Sequence, residues 1–220
     1  MIHDFQYEEY GRVHRPFGPI IYEQEVSDDL FNELKQIIPQ STDDYRKHLA
    51  GNIADERDLT MLISSDAREE LRERTALYLA LCSDKPQHQF PHYMKGLDLE
   101  SIWVNFQKAW EWNPPHKHTG EVSFVIYIDN PVDPKEERKH PTQHGNAPTA
   151  GHITFRYGES HTLSGDRLIV NPKPKQMFLF PAWLEHQVFP FTQEGITRIS
   201  VAGNMIVYAD NASATSRYQL

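Results

Sequence analysis

In the first third of the chain, apolar residues recur at helical spacing. Ser27 is placed to cap a helix, Asp28 and Asp29 fall in its first turn, and Leu30, Phe31, Leu34, Ile37 and Ile38 form one stripe before Pro39 ends it. A second helix is predicted from Ser65 or Asp66 to about Cys82, its stripe being Leu71, Thr75, Tyr78, Leu79 and Cys82. Both stripes read as packing surfaces, and Cys82 reads as a small buried apolar residue. From about residue 97 the period changes to two. The run from Leu97 to Phe106 alternates like a strand covered on both sides for part of its length. Further strands are predicted at Val122–Ile128, His152–Tyr157, Arg167–Val170, Met177–Phe180 and Thr197–Tyr208, and no long helix fits after Asp98. Helices first and then short strands predict an α+β chain, mainly β, in which N-terminal helices back one face of an antiparallel sandwich or jelly roll. One domain is expected over residues 1–220, with 1–96 as a helical support region and 97–210 as the β core.

The connection from Asp129 to Ala150 breaks this pattern. It holds Pro131, Pro134, Pro141 and Pro148 and a charge run from Lys135 to Lys139. A polar stretch of that length is either a solvated insertion or a lid over a site.

Composition narrows the function classes. The chain has 220 residues, a formal charge of −9, twelve His and a single cysteine, Cys82. One Cys forms no internal disulfide and cannot supply a thiolate zinc cluster, which points to a reducing compartment. The negative field disfavours phosphate backbones and anionic membranes, so nucleic acid and membrane are not expected partners. No apolar run approaches a membrane span, and the opening residues lack a signal-peptide core, so a cytoplasmic location is expected. Twelve His is the unusual count, because imidazole is a common metal ligand near neutral pH.

Two segments concentrate candidate chemistry. Asn113-Pro114-Pro115-His116-Lys117-His118-Thr119-Gly120-Glu121 leads into an apolar strand. On an extended backbone, residues at i and i+2 project to one side about 6–7 Å apart, so His116 and His118 can reach one ion. Further on, Met177-Phe178-Leu179-Phe180-Pro181 reads as a buried strand, followed by a turn ending in His186. Arg198 and Ser200 then share one face of an otherwise apolar strand. Arg198 must find an anion there, either a protein carboxylate or the carboxylate of a ligand, because a buried unpaired guanidinium is prohibitive.

In order, PPHKHTGEVSFVIYI (114–128), GHITF (151–155), FLFPAWLEHQV (178–188) and RISVAGN (198–204) resemble the Fe(II)/2-oxoglutarate-dependent oxygenases. The likeness is to a small phage and bacterial subgroup with HxH and FPxWLxH segments, and the stretches 17–31 and 46–53 are similar to it as well. That resemblance implies a double-stranded β-helix with Fe(II) at its open end. It implies His116 and His186 as iron ligands and Arg198 with Ser200 on the distal carboxylate of 2-oxoglutarate. Tyr127 is a candidate for a further hydrogen bond to that carboxylate, or else a core tyrosine.

The activity implied is hydroxylation of a peptide or prolyl residue, an amino acid or a small metabolite, with release of succinate and carbon dioxide and with ascorbate as reductant. If the chain is phage-encoded, the host cytoplasm is its location. One departure matters. Position 118 is His where the superfamily carries Asp or Glu. Either His118 is the third ligand, or Glu121 swings in, or water completes the site. Trp112 and Trp183 are candidates to line a substrate pocket, and Asn105 to point into the barrel. Two other readings stand beside this one: a cupin-like three-His metalloprotein that does not use 2-oxoglutarate, and a non-catalytic jelly-roll binding protein.

Overall fold

The computed structural model describes residues 12–14, 18–82, 96–146, 149–162 and 165–208. Two antiparallel sheets face each other, and helices lie on the outside of the larger one. The larger sheet is built from β1 (Arg12–His14), β2 (Ile21–Glu25), β3 (Glu56–Asp58), β4 (Leu97–Gln107), β6 (Val122–Asp129), β9 (Gln176–Pro181) and β11 (Arg198–Val207), in the order β1-β2-β9-β6-β11-β4-β3. The smaller sheet takes β5 (Asn113–His116), β7 (Ile153–Arg156), β8 (Arg167–Val170) and β10 (Glu185–Val188), in the order β5-β10-β7-β8. This is the expected jelly roll, the double-stranded β-helix.

The layering follows from strand periodicity. Along β6, Val122, Phe124, Ile126 and Ile128 face the helices, while Val125 and Tyr127 face the smaller sheet. Buried on both faces, β6 shows no polar alternation, and its apolar run is almost continuous. The outer core joins these residues to Leu30, Leu34 and Ile37 of α1 (Asp28–Ile37) and to Leu71, Ala76 and Tyr78 of α2 (Ser65–Cys82). The inner core joins Val125, Phe178 and Phe180 to Ile153, Phe155 and Val188 of the smaller sheet.

Both predicted helices are present. The Ser27 hydroxyl accepts from the Leu30 amide at 3.0 Å and donates to Glu70 at 2.6 Å, so one residue caps α1 and ties it to α2. Cys82, however, ends α2 exposed rather than buried. The apolar face of α2 is carried instead by Ala67, Leu71, Thr75, Ala76, Tyr78 and Ala80. The region before residue 97 is more than helical support, because it also supplies β1, β2 and β3 to the larger sheet. Gly203 is fixed by close approach between strands: a Cβ there would lie 2.4 Å from Phe124 Cζ and 2.6 Å from the Ser101 carbonyl.

The long connection between β6 and β7 is pinned down. It contains a short helix, α3 (Pro134–Glu137), whose Glu137 is buried and accepts from the Thr192 and Gln193 amides at 2.9 Å each. Val132, Ala150 and Phe191 pack beneath it.

Candidate metal and diacid site

The two halves of the candidate ligand set meet because β5 and β10 are neighbours. His116 and His186 sit directly opposite each other in the antiparallel register. His186 is therefore on a strand, not at the end of a turn. β5 lies at the edge of the smaller sheet, which is where Pro114 and Pro115 are tolerated, since neither can donate to a neighbouring strand. Beyond β5 the chain is hitched to the opposite turn: the His118 amide donates to Ala182 O at 2.9 Å and the Ala182 amide to Glu121 O at 3.0 Å. Gly120, with φ of +82°, takes the left-handed turn that this requires.

These constraints bring three imidazoles together. One ring nitrogen from each of His116, His118 and His186 lies within 4.8 Å of the other two. His116 Nδ1 is 2.7 Å from Pro114 O and His186 Nδ1 is 2.9 Å from Leu184 O. Each carbonyl can only accept, so each Nδ1 carries the proton and each Nε2 presents a lone pair, as ligand imidazoles require. His118 Nε2 is 3.0 Å from His186 Nε2. In the metal-free protein that contact needs a proton from His118, and a divalent cation would take the proton's place. Packing holds the rings: Trp103 stacks on His118 with centroids 5.6 Å apart, and Phe180 meets His186 edge-on at 4.8 Å. Burial keeps all three neutral, pulling His118 down to about 3 and His116 and His186 below the usual imidazole range.

Arg198, 2% exposed, opens into the same cavity of about 510 Å³. Among the described residues its only hydrogen-bond partner is neutral: Nη1 donates to Gln107 Oε1 at 3.1 Å. Nε and Nη2 are buried and have no hydrogen-bond partner, and the same holds for the Tyr127 hydroxyl. The guanidinium carbon lies 4.9 Å over the Tyr127 ring, and the two side chains attract each other electrostatically. Ser200 and Asn105 complete this wall, with Asn105 Nδ2 3.3 Å from Ser200 O. A buried guanidinium with bare donors, a bare phenol and a hydroxyl in one wall suit an anion.

The six predicted site residues, His116, His118, His186, Arg198, Ser200 and Tyr127, thus line one cavity. Asn105 also points into it. Glu121 does not reach the imidazoles: its Oε2 accepts from the Val207 amide at 2.8 Å. Trp112 and Trp183 are absent from the lining; Trp183 is half-exposed and packs against Tyr157. No described residue of 129–150 lines the cavity; its outer wall comes from Tyr45, His48, Leu49, Ala50 and Gly51. Gln107 and Glu56 were not foreseen. Gln107 could have been found from its register opposite Arg198, whereas Glu56, in the polar run Asp55-Glu56-Arg57-Asp58, gives no signal. His3, His88 and His92 lie outside the described residues.

Residues 101–204, from β4 to β11, match the family model described as "Putative 2OG-Fe(II) oxygenase". Over just under half of its length, the β core, the chain is similar to the 2OG-Fe(II) oxygenases. Solved structures agree on the fold. A Pseudomonas putida prolyl-4-hydroxylase is similar with a TM-score of 0.51 at 13% identity, over 86% of this chain and 93% of that one. HygX from Streptomyces hygroscopicus, solved with nickel, 2-oxoglutarate and hygromycin B, is similar with a TM-score of 0.54 at 11% identity, over 87% and 84%. A prolyl hydroxylase from Trichoplax adhaerens, in complex with a hypoxia inducible factor peptide fragment, is similar with a TM-score of 0.51 at 13% identity, over 87% and 83%. No curated protein matches in sequence. Fe(II) and 2-oxoglutarate, the cofactors of that family, fit what the cavity offers: three convergent imidazoles and a buried guanidinium with bare donors.

Proposed function

We propose that this protein is an oxygenase that hydroxylates a C–H bond of an organic substrate, consuming 2-oxoglutarate and oxygen and releasing succinate and carbon dioxide. His116, His118 and His186 would hold Fe(II) through their Nε2 atoms. Arg198 would clasp the distal carboxylate through Nε and Nη2, with Ser200 and the Tyr127 hydroxyl as further donors. When bound, the metal and the keto acid supply the oxidising chemistry; the protein supplies orientation and exclusion of water. Gln107 holds the guanidinium in place without neutralising it. The rings of Trp103, Phe155 and Phe180 pack against His118 and His186 and hold them in place.

Arg198 is the observation that carries this reading. A cupin-like metal site could assemble three imidazoles, but it would have no use for a buried guanidinium with bare donors, and a non-catalytic jelly roll would have none for either. Three imidazoles leave the ion one positive charge richer than two imidazoles and a carboxylate would, which strengthens its hold on an anionic co-substrate. The test is succinate formation from 2-oxoglutarate by protein loaded anaerobically with Fe(II) and then exposed to oxygen and ascorbate. Turnover that needs the metal and disappears in His186→Ala is expected. No metal-dependent succinate in wild-type protein would reject the reading.

A further inference from the structure

Glu56 is a buried acid with no task in the chemistry above. It lies on β3 at the edge of the larger sheet and is 2% exposed, and both carboxylate oxygens lack a hydrogen-bond partner. It faces the same cavity as the imidazoles and Arg198. Its place follows from register. Glu56 pairs with Asn105, Asn105 with Ser200, and Ser200 with Tyr127, so these four side chains form one row across the inner face. At ~4.8 Å per strand, Glu56 stands roughly 10 Å from the Ser200 position. The diacid subsite occupies one end of the row and Glu56 the other.

Among the described residues no cation pairs with it, and the nearby Arg46 charge only partly offsets its burial. Arg46 is held bidentately by Asp44, with Nε 2.9 Å and Nη2 2.7 Å from the two oxygens. Arg57 is held in the same way by Asp55, at 2.6 Å on each arm. Lys117 is exposed at the rim and makes no ion pair with Glu56. Burial, with the Glu111 carboxylate as a smaller contribution, pushes Glu56 up to about 7. A carboxyl buried without a partner is costly and calls for a function.

The space beside it is kept open by Gly51. A Cβ there would lie 2.3 Å from Asn113 Oδ1 and 2.9 Å from Glu56 Oε1. The corner therefore presents three acceptors, the two Glu56 oxygens and Asn113 Oδ1, in a compact space. A protonated primary amine offers three donors from a point charge, whereas a guanidinium is a broad planar fork.

We propose that Glu56, with Asn113 and the gap at Gly51, binds a primary ammonium group of the substrate and so selects amine-bearing substrates. This rests on the reading of the site given above and adds the substrate class to it. The amine could be a lysyl side chain or a free alkylamine. Either would anchor about two strands away from the diacid, leaving the substrate's carbon chain to run toward the imidazoles.

Calorimetry on anaerobic protein loaded with Ni(II) and 2-oxoglutarate tests this with three probes: Nα-acetyl-lysine amide, n-pentylamine, and Nα-acetyl-norleucine amide as the uncharged control. At least one amine is expected to bind wild type, with the control much weaker. Glu56→Gln should lose affinity on the order of tenfold to a hundredfold, as expected for a charge-assisted contact. Gly51→Ala, whose methyl group fills the corner and crowds Asn113 Oδ1 and Glu56 Oε1, should lose affinity as well. Binding of the lysine amide alone identifies a peptidyl source, and binding of pentylamine alone a free amine. The thermal midpoint of metal-free Glu56→Gln at pH 8 should equal or exceed that of wild type, because an unpartnered charge is removed. The proposal is overturned if neither amine binds wild type, if the control binds equally, if Glu56→Gln keeps its affinity, or if that variant melts well below wild type. A separate titration of wild type with 2-oxoglutarate keeps the two ideas apart: amine binding without 2-oxoglutarate binding rejects the oxygenase reading, and the reverse rejects only this one.

Discussion

Replacing Arg198 with Met separates a ligand-binding guanidinium from a structural one. Met keeps much of the stem's bulk and removes the charge. In the folded protein the guanidinium makes one hydrogen bond, to the neutral Gln107, and leaves Nε and Nη2 bare. Two charge-assisted bonds to a carboxylate, at about 1.5–3 kcal/mol each, sum to about 3–6 kcal/mol. That predicts a Kd for 2-oxoglutarate weakened on the order of a hundredfold to ten-thousandfold in Arg198→Met. Stability should move the other way or hardly at all, because the variant loses one bond to an amide and relieves the burial of an unpaired charge. A guanidinium in a buried ion pair would instead cost about 3–5 kcal/mol on removal of the partner. Anaerobic calorimetry of 2-oxoglutarate into Ni(II)-loaded protein measures the first quantity, and urea unfolding of metal-free protein the second. An affinity change below about fivefold, ~1 kcal/mol, or a stability loss of several kcal/mol would refute the reasoning.

Other perturbations follow from the same geometry. His118→Ala should weaken Ni(II) binding by at least about tenfold, whereas Glu121→Ala should leave it unchanged, since Glu121 is spent on the Val207 amide; equilibrium dialysis reads both. All three ligand imidazoles are held below the usual range in the fold, so Ni(II) affinity should stay flat as pH falls from 8 through 6.5. With folded values below unfolded ones, the metal-free protein takes up protons on unfolding, and its stability should fall as pH drops from about 6.5 toward 3. Stability that rises on acidification over that window, followed by denaturant titration, would contradict the burial of the cluster. Gly203→Ala should destabilise the fold by at least about 1–3 kcal/mol, because its Cβ would collide with Phe124 and the Ser101 carbonyl.

What the sequence made legible was what local physics decides. Ser27, the two aspartates and the stripe to Ile38 announce α1 because capping and periodicity act over a few residues. β4, β6 and β11 are long enough for period two, or for an unbroken apolar run, to be read. The short strands β3, β5 and β10 were missed, since they are polar or proline-bearing and owe their extended form to a neighbour already in place. Cys82 falls on the exposed side of α2 because the buried face of the last turns runs through Ala76, Tyr78 and Ala80 instead. The six candidate site positions were visible because His and Arg beside apolar strands are chemically conspicuous and because their order along the chain resembles a known family. Glu56 was not, because Asp55-Glu56-Arg57-Asp58 looks like any solvated turn and only tertiary register carries the second of these residues inward. The connection from 129 to 150 had the composition of a lid, but buried Glu137 clamps it to residues 192 and 193, away from the cavity.

Diffraction from crystals soaked anaerobically with Mn(II) and 2-oxoglutarate tests the central claim most directly. The account predicts one anomalous peak at coordination distance from the Nε2 atoms of His116, His118 and His186, with the far carboxylate of the keto acid on Nε and Nη2 of Arg198. A peak elsewhere, or a keto acid that leaves Arg198 untouched, would contradict it.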